Sequence, residues 1–426
     1  MAEQLQAVRG MNDVLPTEIG SWQHFETCTR ELLSAYGYEE IRVPILEHTE
    51  LFKRAIGEHT DVVGKEMYTF TDRGGDSLTL RPEATAGVVR ALISNGLLRG
   101  QRHKLWCMGP MFRHETPQAG RYRQFWQVDV EAVGCPGPDV DAELIALSAR
   151  LWRRLGILDG LSLQINSLGT PESRREYRAR LVEYLRAHEA RLDADSQRRL
   201  GGNPLRVLDS KNPDMQELIA GAPQLTEHLD AESRAHFEAL CAMLREVGVS
   251  YEINPRLVRG LDYYNRTVFE WITGSTGAQN AVCSGGRYDG LIAQLGGDGT
   301  PAIGFAMGVE RLVALVLAAR GAPPPPSPDI YVVVSGGAAA QALALVERLR
   351  SERPALRFEL NLGGGNFKAQ FRRADKSGAR LALIIGEDEL ARGVVAMKPL
   401  RAESGQSECP LAQLAAALDA ALAGGR

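Results

Sequence analysis

The chain has 426 residues, of which 44% are hydrophobic and 24% are charged, with a formal net charge of −4. A chain of this length is too long to fold around a single hydrophobic core, so we expect two or three domains. Because no apolar run approaches ~18 residues, we expect no membrane span. The N-terminus lacks an apolar segment typical of secretion. The six cysteines are scattered without a C-x-x-C pair, so we expect a reduced, cytoplasmic protein with no metal site.

The N-terminal region predicts a helix followed by a short strand. Residues 17–36 have the apolar spacing of a helix, and residues 40–46 form an extended run. We expect Pro44 to break this strand, because proline lacks the N–H that a strand ladder uses.

Residues 105–132 predict a β-hairpin whose long loop carries several charges. An apolar strand, residues 105–112, runs into the sequence RHE and then into a loop that contains proline, glycine and two arginines. In the second strand, QFWQVDVEA, alternate side chains face opposite sides of the sheet. One face carries Trp126, Val128, Val130 and Ala132, and the other carries Phe125, Gln127, Asp129 and Glu131.

The polar face of this second strand has two interpretations. On an open sheet it would be a solvated surface. In a cleft, its carboxylates and amide would form the floor of a site for an ammonium or imidazole group. The charged loop directly before the strand favours the second interpretation.

Further segments place polar residues or glycines within apolar sequence. They are TLRPEATAG at residues 79–87, LVRGLDYYNRTVFEW at 257–271 and SGGRYDG at 284–290. In addition, IGFAMGVERLVALV predicts a strand that runs into a helix, with Arg311 in the first turns of that helix. Gly304 and Gly308 leave room there for a ligand or for a closely packed helix.

Two stretches differ in pattern from this strand-rich region. Residues 169–250 are rich in Arg, Glu, Leu and Ala and predict a helical insertion, either solvated or in contact with tRNA. After the proline-rich sequence APPPPSP, predicted strands at residues 330–334 and 381–385 alternate with helices, as in a small α/β domain. A further helix, residues 366–377, presents four cations partly on one face, as a solvated surface or a nucleic-acid contact.

The sequence lacks the common nucleotide signatures, since it has no G-x-x-x-x-G-K-[ST] loop and no G-x-G-x-x-G that opens a helix after a strand. Instead, FRHE with Phe125 resembles motif 2 of class II aminoacyl-tRNA synthetases, and GFAMGVER resembles motif 3. The N-terminal helix and Pro44 strand resemble the dimer-forming motif 1. LVRGLDYYNRTVFEW and CSGGRYDGL resemble two segments specific to the histidine enzymes, and GGGNFKAQFRRADKSGA resembles their anticodon-binding domain. Over nearly its whole length, the chain resembles the histidyl-tRNA synthetase family.

The resemblance implies an α+β fold with an antiparallel sheet flanked by helices. The class II catalytic core would comprise residues 1–168 and 251–320, split by a helical insertion domain at residues 169–250. A linker at residues 321–328 would lead to an α/β anticodon-binding domain at residues 329–426. The resemblance also implies a homodimer that uses L-histidine, ATP with Mg²⁺ and tRNA(His), with no tightly bound cofactor.

The resemblance further implies which residues bind histidine. These are Glu83, Thr85, Gln127, Glu131, Arg259, Tyr263, Tyr264 and Tyr288. The first three would contact the amino group, and the imidazole would lie between Glu131 and Tyr264.

The implied ATP-binding residues are Arg113, Glu115, Arg121, Phe125 and Arg311. Adenine would stack on Phe125, with Glu115 near its edge. Arg113 and Arg259 would hold the α-phosphate as the catalytic pair, and the other two arginines would hold the outer phosphates. Contacts with tRNA are expected from Gln118, Lys368, Arg372, Arg373 and Lys376.

These roles agree with the chemistry of adenylate formation. The carboxylate of histidine is already ionised at pH 7, so no general base is needed. Catalysis would depend on alignment with the α-phosphorus and on neutralising the developing charge, for which guanidinium groups offer permanent charge and forked donors. A polar pocket can reject apolar analogues by ~10⁴ or more, so we expect no editing domain.

Two positions depart from the family pattern. Ala84 stands where glycine is usual, and we expect a small backbone adjustment at most. Thr116 stands where a basic residue is common, which leaves the contacts with the acceptor end of tRNA open.

Two alternative functions remain from the sequence. One is the non-catalytic synthetase paralogue that regulates histidine biosynthesis, which Arg113, Arg259, Arg311 and the C-terminal domain argue against. The other is a synthetase for a different amino acid, which Glu131 and Tyr264 argue against.

Overall fold

The computed structural model describes residues 4–58, 60–118, 120–202, 204–208, 210, 212–274, 280–321, 327–402 and 405–423. The chain divides into two compact units, Met1–Pro323 and Pro324–Arg426. Most of the expected linker, residues 322–326, lies outside the described residues. Over the described residues, no helix combines the length and apolar composition needed to cross a membrane.

The first unit contains eleven of the described strands and ten of the described α-helices. Its strands are β1 (Glu39–Glu40), β2 (Leu46–His48), β3 (Tyr68–Thr71), β4 (Ser77–Leu80), β5 (His103–Phe112), β6 (Gln124–Val133), β7 (Leu161–Ser167), β8 (Glu252–Ile253), β9 (Asn265–Thr273), β10 (Ala281–Arg287) and β11 (Ala302–Gly308). Its helices are α1 (Ile19–Ala35), α2 (Thr49–Ile56), α3 (Thr85–Ser94), α4 (Pro138–Leu155), α5 (Pro171–Ala187), α6 (Ala194–Gly201), α7 (Gln216–Ala220), α8 (Ala231–Glu246), α9 (Leu291–Gln294) and α10 (Val309–Arg320).

A large sheet forms the centre of this unit. Its strand order is β1-β5-β6-β11-β10-β9-β7-β8. The six inner strands are antiparallel to their neighbours, and the two short edge strands pair in parallel. A smaller antiparallel sheet has the order β2-β4-β3. The antiparallel α+β fold agrees with the class II architecture that the resemblance implied.

The two faces of the large sheet have different surroundings. Val128, Val130 and Ala132 of β6 are fully buried in a core that includes Trp152 of α4 and Leu312 of α10, as the apolar face of the sequence pattern predicted. The opposite face packs against a second cluster that includes residues of α2, α3 and α5. A cavity also opens on this second face.

The helices between residues 171 and 246 form no separate compact unit. Tyr177 and Leu181 of α5 belong to the same buried cluster as the cavity-side residues of the sheet. Phe237 and Leu240 of α8 are buried with α4 in the core on the other face. The predicted helical character is therefore confirmed, and the insertion boundaries at residues 169–250 stay a proposal.

The second unit is an α/β arrangement with one five-stranded sheet. Its elements are β12 (Ile330–Val334), α11 (Ala339–Glu352), β13 (Phe358–Leu360), α12 (Phe367–Lys376), β14 (Leu381–Ile385), α13 (Glu387–Ala391), β15 (Val394–Pro399), β16 (Ser407–Pro410) and α14 (Leu414–Leu422). The strand order is β13-β12-β14-β15-β16, parallel for the first three strands and antiparallel for the others. The structure confirms the predicted strands at residues 330–334 and 381–385, with the same first and last residues.

The prediction of one strand over residues 40–46 is wrong, but the interruption expected at Pro44 is confirmed. Only its two ends are strands, and they belong to different sheets. The intervening backbone passes from one sheet to the other, where Ile41 donates to the carbonyl of Trp106 and the carbonyl of Ile45 accepts from Arg81. Pro44 has no N–H and fits such a crossing segment better than a strand.

A fully buried ion pair holds several elements of the first unit together. Asp141 of α4 and Arg287 of β10 are both 0% exposed, with 2.7 Å between guanidinium nitrogen and carboxylate oxygen. Asp141 also accepts from Thr267 of β9 at 2.6 Å, and His236 of α8 lies 2.8 Å away. Arg287 donates further to the carbonyl oxygens of Cys135 and Gly137. A buried carboxylate with this many donors depends on all of them.

We predict that Arg287→Ala lowers the free energy of unfolding by about 3–5 kcal/mol, because it leaves Asp141 buried without its cation. Urea unfolding followed by tryptophan fluorescence measures this loss. The matched control is Arg54→Ala, which removes an ion pair to Glu50 in which both side chains are 60% exposed and should cost about 0.3–0.5 kcal/mol. Equal losses in the two variants would contradict the prediction.

Candidate active site

A cavity of about 280 Å³ lies on the second face of the large sheet. All but one of the residues expected to bind histidine or ATP line it. They are Glu83, Thr85, Arg113, Glu115, Arg121, Phe125, Gln127, Arg259, Tyr263, Tyr264, Tyr288 and Arg311. The exception is Glu131. Residues more than 200 positions apart in the sequence therefore come together in one concave site.

Strand β6 supplies the floor of the cavity. Phe125, Gln127 and Asp129 face it, because alternate side chains of a strand point to the same side. The Gln127 Oε1 atom and both carboxyl oxygens of Asp129 are buried without a side-chain hydrogen-bond partner among the described residues, and the backbone N–H of Ala84 interacts with Asp129. Since buried polar atoms are usually paired, the floor presents unused acceptors to whatever enters.

Glu131 lies beneath the cavity rather than on its surface. Its Oε1 accepts from the Thr85 hydroxyl at 2.6 Å, and its Oε2 accepts from the Tyr288 hydroxyl. Gly304 on the neighbouring strand makes room for this carboxyl, since a Cβ there would lie 1.7 Å from Glu131 Oε2. Two hydroxyl groups that line the cavity thus hold Glu131, and its expected contact with an imidazole stays a proposal.

Several buried carboxyl groups lie together at one end of the cavity, the acidic end, and burial disfavours their charged forms. Burial raises the pKa of Asp129 to about 8, and the nearby Glu83 carboxylate adds to the shift. Burial likewise raises the pKa of Glu83 and that of Glu131. Desolvation and mutual repulsion therefore disfavour having all three groups ionised in the empty site.

Glu83 is positioned by the start of helix α3. Its Oε1 accepts from the backbone N–H of Ala86 at 3.0 Å, while its Oε2 is buried and has no partner in the described part of the chain. Ala84 precedes the helix with φ −105° and ψ −25°, a conformation open to any residue. The departure from glycine at this position therefore requires no unusual backbone.

Three arginines form the opposite, cationic end of the cavity. Arg113 donates to the carbonyl of Pro82 at 2.9 Å and lies 5.4 Å above the Phe125 ring centroid. Arg311 donates to the carbonyl of Gly120 at 2.8 Å, and Arg121 pairs with Glu115.

The charges of these arginines repel one another. Burial lowers the pKa of Arg311, and the charges of Arg121 and Arg113 lower it further. Burial and the Arg113 charge also lower the pKa of Arg121. Because arginine stays protonated in proteins, this wall favours a polyanion.

Arg259 lies between the two ends. Its guanidinium is 2.8 Å from Glu270 and 5.6 Å above the ring centroid of Tyr264, and Glu270 also accepts from the Ser284 hydroxyl at 3.0 Å. Burial lowers the pKa of Arg259, but Glu270, Tyr264 and Tyr263 outweigh it and raise the pKa overall. Arg259 therefore carries a fixed positive charge that a neighbouring carboxylate orients.

Three tyrosines close the acidic end with aromatic surface. The ring centroids of Tyr263 and Tyr264 are 4.6 Å apart, and those of Tyr263 and Tyr288 are 5.7 Å apart. This wall suits a flat, partly polar group such as an imidazole, because each ring combines an apolar face with a polar edge.

Sequence reasoning left several cavity residues without an assigned contact. The pattern placed Asp129 on a polar floor for an ammonium or imidazole group, but the resemblance assigned it no contact, and Glu270 and Ser284 received no role. A signal for Glu270 exists in the sequence, because it is a single carboxylate inside the apolar run TVFEWI. Its pairing with Arg259 was not readable, since it depends on how the segment before β9 folds back.

The residues expected to contact tRNA lie elsewhere. Gln118 belongs to the loop between β5 and β6, where its backbone bonds to that of Arg121 at 3.1 and 2.9 Å; the next residue in the loop lies outside the described ones. In the second unit, Lys368, Arg372 and Lys376 are exposed and four residues apart on α12.

Arg373 is also exposed, but its guanidinium group is hydrogen-bonded within the second unit. It donates to Asn361 Oδ1 at 3.0 and 2.7 Å and to the Gly364 carbonyl at 2.5 Å. It therefore fixes the loop before α12.

No group of three or more His, Cys, Asp or Glu side chains in the described part of the chain is arranged to hold a metal ion. Two cavity carboxylates near the arginines are already paired, Glu115 with Arg121 and Glu270 with Arg259.

The antiparallel sheet flanked by helices, with arginines at one end of its cavity and carboxyls at the other, defines a class II aminoacyl-tRNA synthetase. The family model for histidyl-tRNA synthetase matches residues 10–312, and that for the anticodon binding domain matches residues 329–420. The chain belongs to the histidyl-tRNA synthetase family, and its enzyme class is histidine–tRNA ligase.

Solved structures agree with this assignment. The apo histidyl-tRNA synthetase of S. aureus is 35% identical and has a TM-score of 0.81, covering 97% of this chain and 100% of its own. The histidyl-tRNA synthetase of Nostoc sp. PCC 7120 is 22% identical, with a TM-score of 0.66 over 98% of this chain and 100% of its own. An ATP phosphoribosyltransferase regulatory subunit/histidyl-tRNA synthetase from Bacillus halodurans is 22% identical, with a TM-score of 0.65 over 91% and 99%. These last two similarities concern the fold alone.

Proposed function

We propose that this cavity joins L-histidine to ATP as histidyl-adenylate, with release of pyrophosphate, and then transfers histidine to tRNA(His), with release of AMP. The observation that carries the proposal is the position of Arg259. It lies on the Tyr264 ring at the acidic end and pairs with Glu270, whose charge also acts on Arg311 at the cationic end. A guanidinium at this place would contact both the carboxylate of histidine and the α-phosphate of ATP.

In this proposal, the acidic end binds histidine. Glu83, Thr85 and Gln127 would accept from or orient the amino group, and the unused Glu83 Oε2 and Gln127 Oε1 support this role. Glu131 and Tyr264 would pair with the two imidazole nitrogens. Rejection of other amino acids would follow from these buried groups, which an apolar side chain leaves unpaired.

The cationic end would bind ATP. Adenine would stack on Phe125, one side of which Arg113 already covers, with Glu115 near the adenine edge. Arg113 would hold the α-phosphate together with Arg259, and Arg121 and Arg311 would hold the outer phosphates. Mg²⁺ would enter with ATP as part of the substrate. The described residues contain no group of three or more His, Cys, Asp or Glu side chains that could hold this ion.

The chemistry requires positioning and charge neutralisation. The histidine carboxylate is already the nucleophile at pH 7. Arg259 and Arg113 would align it with the α-phosphorus and neutralise the negative charge that develops there as pyrophosphate leaves. Since both guanidinium groups are held before the substrates bind, little reorganisation is needed during the reaction.

We also propose a cytoplasmic homodimer in which the second unit binds the anticodon arm. The six cysteines are unpaired in the structure, which supports a reducing compartment. The match of residues 329–420 to an anticodon binding domain supports the role of the second unit.

A non-catalytic regulator of histidine biosynthesis is the second candidate, because one solved structure of similar fold is named as an ATP phosphoribosyltransferase regulatory subunit/histidyl-tRNA synthetase. The arginines of the cavity favour the enzyme. ATP–pyrophosphate exchange distinguishes the two functions. Histidine-dependent exchange supports the ligase. Exchange that depends on another amino acid would mean that the enzyme activates that amino acid instead of histidine. No exchange with any amino acid would favour the regulator.

We predict that Arg259→Ala lowers the kcat of histidine-dependent exchange by about 10²–10³, the cost of removing one donor from a developing charge. Binding of histidine, measured by calorimetry, should weaken far less. The matched control is Arg256→Ala, three residues earlier and exposed, which should leave both quantities unchanged. Equal losses in kcat and in histidine affinity for Arg259→Ala would contradict the role in the transition state.

We predict that combined Lys368→Ala, Arg372→Ala and Lys376→Ala substitutions weaken tRNA(His) binding and reduce its salt dependence, because each removes a phosphate contact. Filter binding at several salt concentrations measures both effects, and histidine-dependent exchange should not change. Arg348→Ala on α11, exposed as well, serves as the control. Unchanged affinity and salt slope in the triple variant would remove α12 from the tRNA-binding surface.

A further inference from the structure

Asp129 is the most poorly compensated carboxyl that lines the cavity. It is 1% exposed, no side chain among the described residues hydrogen-bonds to its oxygens, and the neighbouring backbone N–H of Ala84 lowers its pKa only against the larger effect of burial. By contrast, the equally buried Glu131 accepts from two hydroxyl groups and Asp141 is paired with Arg287. Burying a carboxyl without a cationic partner costs stability, so its presence at a ligand-facing position calls for a cation that the empty protein lacks.

The cationic side chains around Asp129 do not hydrogen-bond to it. Arg81, from the segment after β4, donates to the carbonyls of Pro110 and Val43, both at 3.0 Å. Arg113, from the end of β5, donates to the carbonyl of Pro82. The two cations thus act on Asp129 only through space.

The remaining titratable neighbours disfavour a charge on Asp129. Glu83 lies close enough for its charge to raise the Asp129 pKa, and burial is the larger cause of the shift to about 8. Glu131 on the same strand and Cys107 on β5 are the other titratable groups that interact with it. Burial and the Glu83 charge therefore favour the protonated form of Asp129 in the empty site.

We propose that Asp129 binds the α-ammonium of the substrate directly, beside Glu83, and releases its proton to solvent when the ammonium enters. The inference rests on the proposed histidine site and adds to it a residue that the resemblance did not assign. The position fits, because Asp129 follows Gln127 on the cavity face of β6 and faces the same acidic end as Glu83. An ammonium between two carboxylates offsets the repulsion that the empty site contains.

In this pairing, the contribution of Asp129 to binding depends on the amino group of the ligand and not on its imidazole. L-Histidinol keeps the ammonium and the imidazole but lacks the carboxylate. Imidazole-4-propionate keeps the imidazole and the carboxylate but lacks the ammonium. A residue that contacts only the ammonium affects the first ligand and spares the second, whereas a residue that merely shapes the pocket affects both.

The test is titration calorimetry of the full-length protein with L-histidine, L-histidinol and imidazole-4-propionate. With Asp129→Asn, we expect the affinity for the two ammonium ligands to fall roughly 10- to 100-fold, the range for a hydrogen bond to a charged group. The affinity for imidazole-4-propionate should stay within about two-fold. At pH 7, buffers of different ionisation enthalpy should show that wild-type protein releases part of a proton on binding histidine and that Asp129→Asn releases less.

Controls separate this proposal from the proposed function. Asp159→Asn, an exposed position on the same unit, should match the wild type throughout. If Asp129→Asn fails to fold, Asp129→Ala removes the carboxyl without adding volume and should show the same ligand pattern. Equal weakening for all three ligands, or unchanged affinity and proton release, overturns the role of Asp129 while histidine binding by the wild type stands. A wild type that binds no histidine overturns the proposed function and this inference together.

Discussion

The alternation of side chains along β6 is the constraint on which the site depends. The strand is hydrogen-bonded on both sides, to β5 and to β11, over nearly its whole length, so its register is fixed. A shift of one residue would turn Val128 and Val130 towards the cavity and Gln127 and Asp129 into the core. The apolar packing on one face therefore holds the polar floor of the other in place, and core and site are two sides of one strand.

Separation of charge within the cavity follows from this arrangement. The acidic end contains carboxyls that burial and mutual repulsion disfavour in their ionised form, and the opposite end contains arginines whose charges repel one another. In the empty cavity, like charges at each end raise the free energy of the folded protein. The two ends are complementary to the proposed substrates, because histidine brings an ammonium and ATP brings a polyphosphate. Relief of this repulsion on binding is therefore the proposed physical origin of the affinity for histidine and ATP.

The sequence predicted what local pattern determines. Strands β12 and β14 follow from continuous apolar runs, and the two faces of β6 follow from strict alternation. The sequence pattern did not predict the long-range contacts. The segment around Pro44 is divided between two sheets, Glu131 is held below the cavity by Tyr288, and Asp141 meets Arg287 across 146 positions of sequence. Each depends on a partner whose position only the complete fold determines.

The most direct test of the account is a crystal structure with a histidyl-adenylate analogue in which a sulfamoyl group replaces the phosphate. The account predicts that Arg259 and Arg113 donate to the sulfamoyl oxygens within about 3.2 Å, with the imidazole beside Glu131 and Tyr264 and the ammonium beside Glu83. An Arg259 side chain that stays on Glu270 out of reach of the analogue, or an imidazole bound away from Glu131, would contradict it.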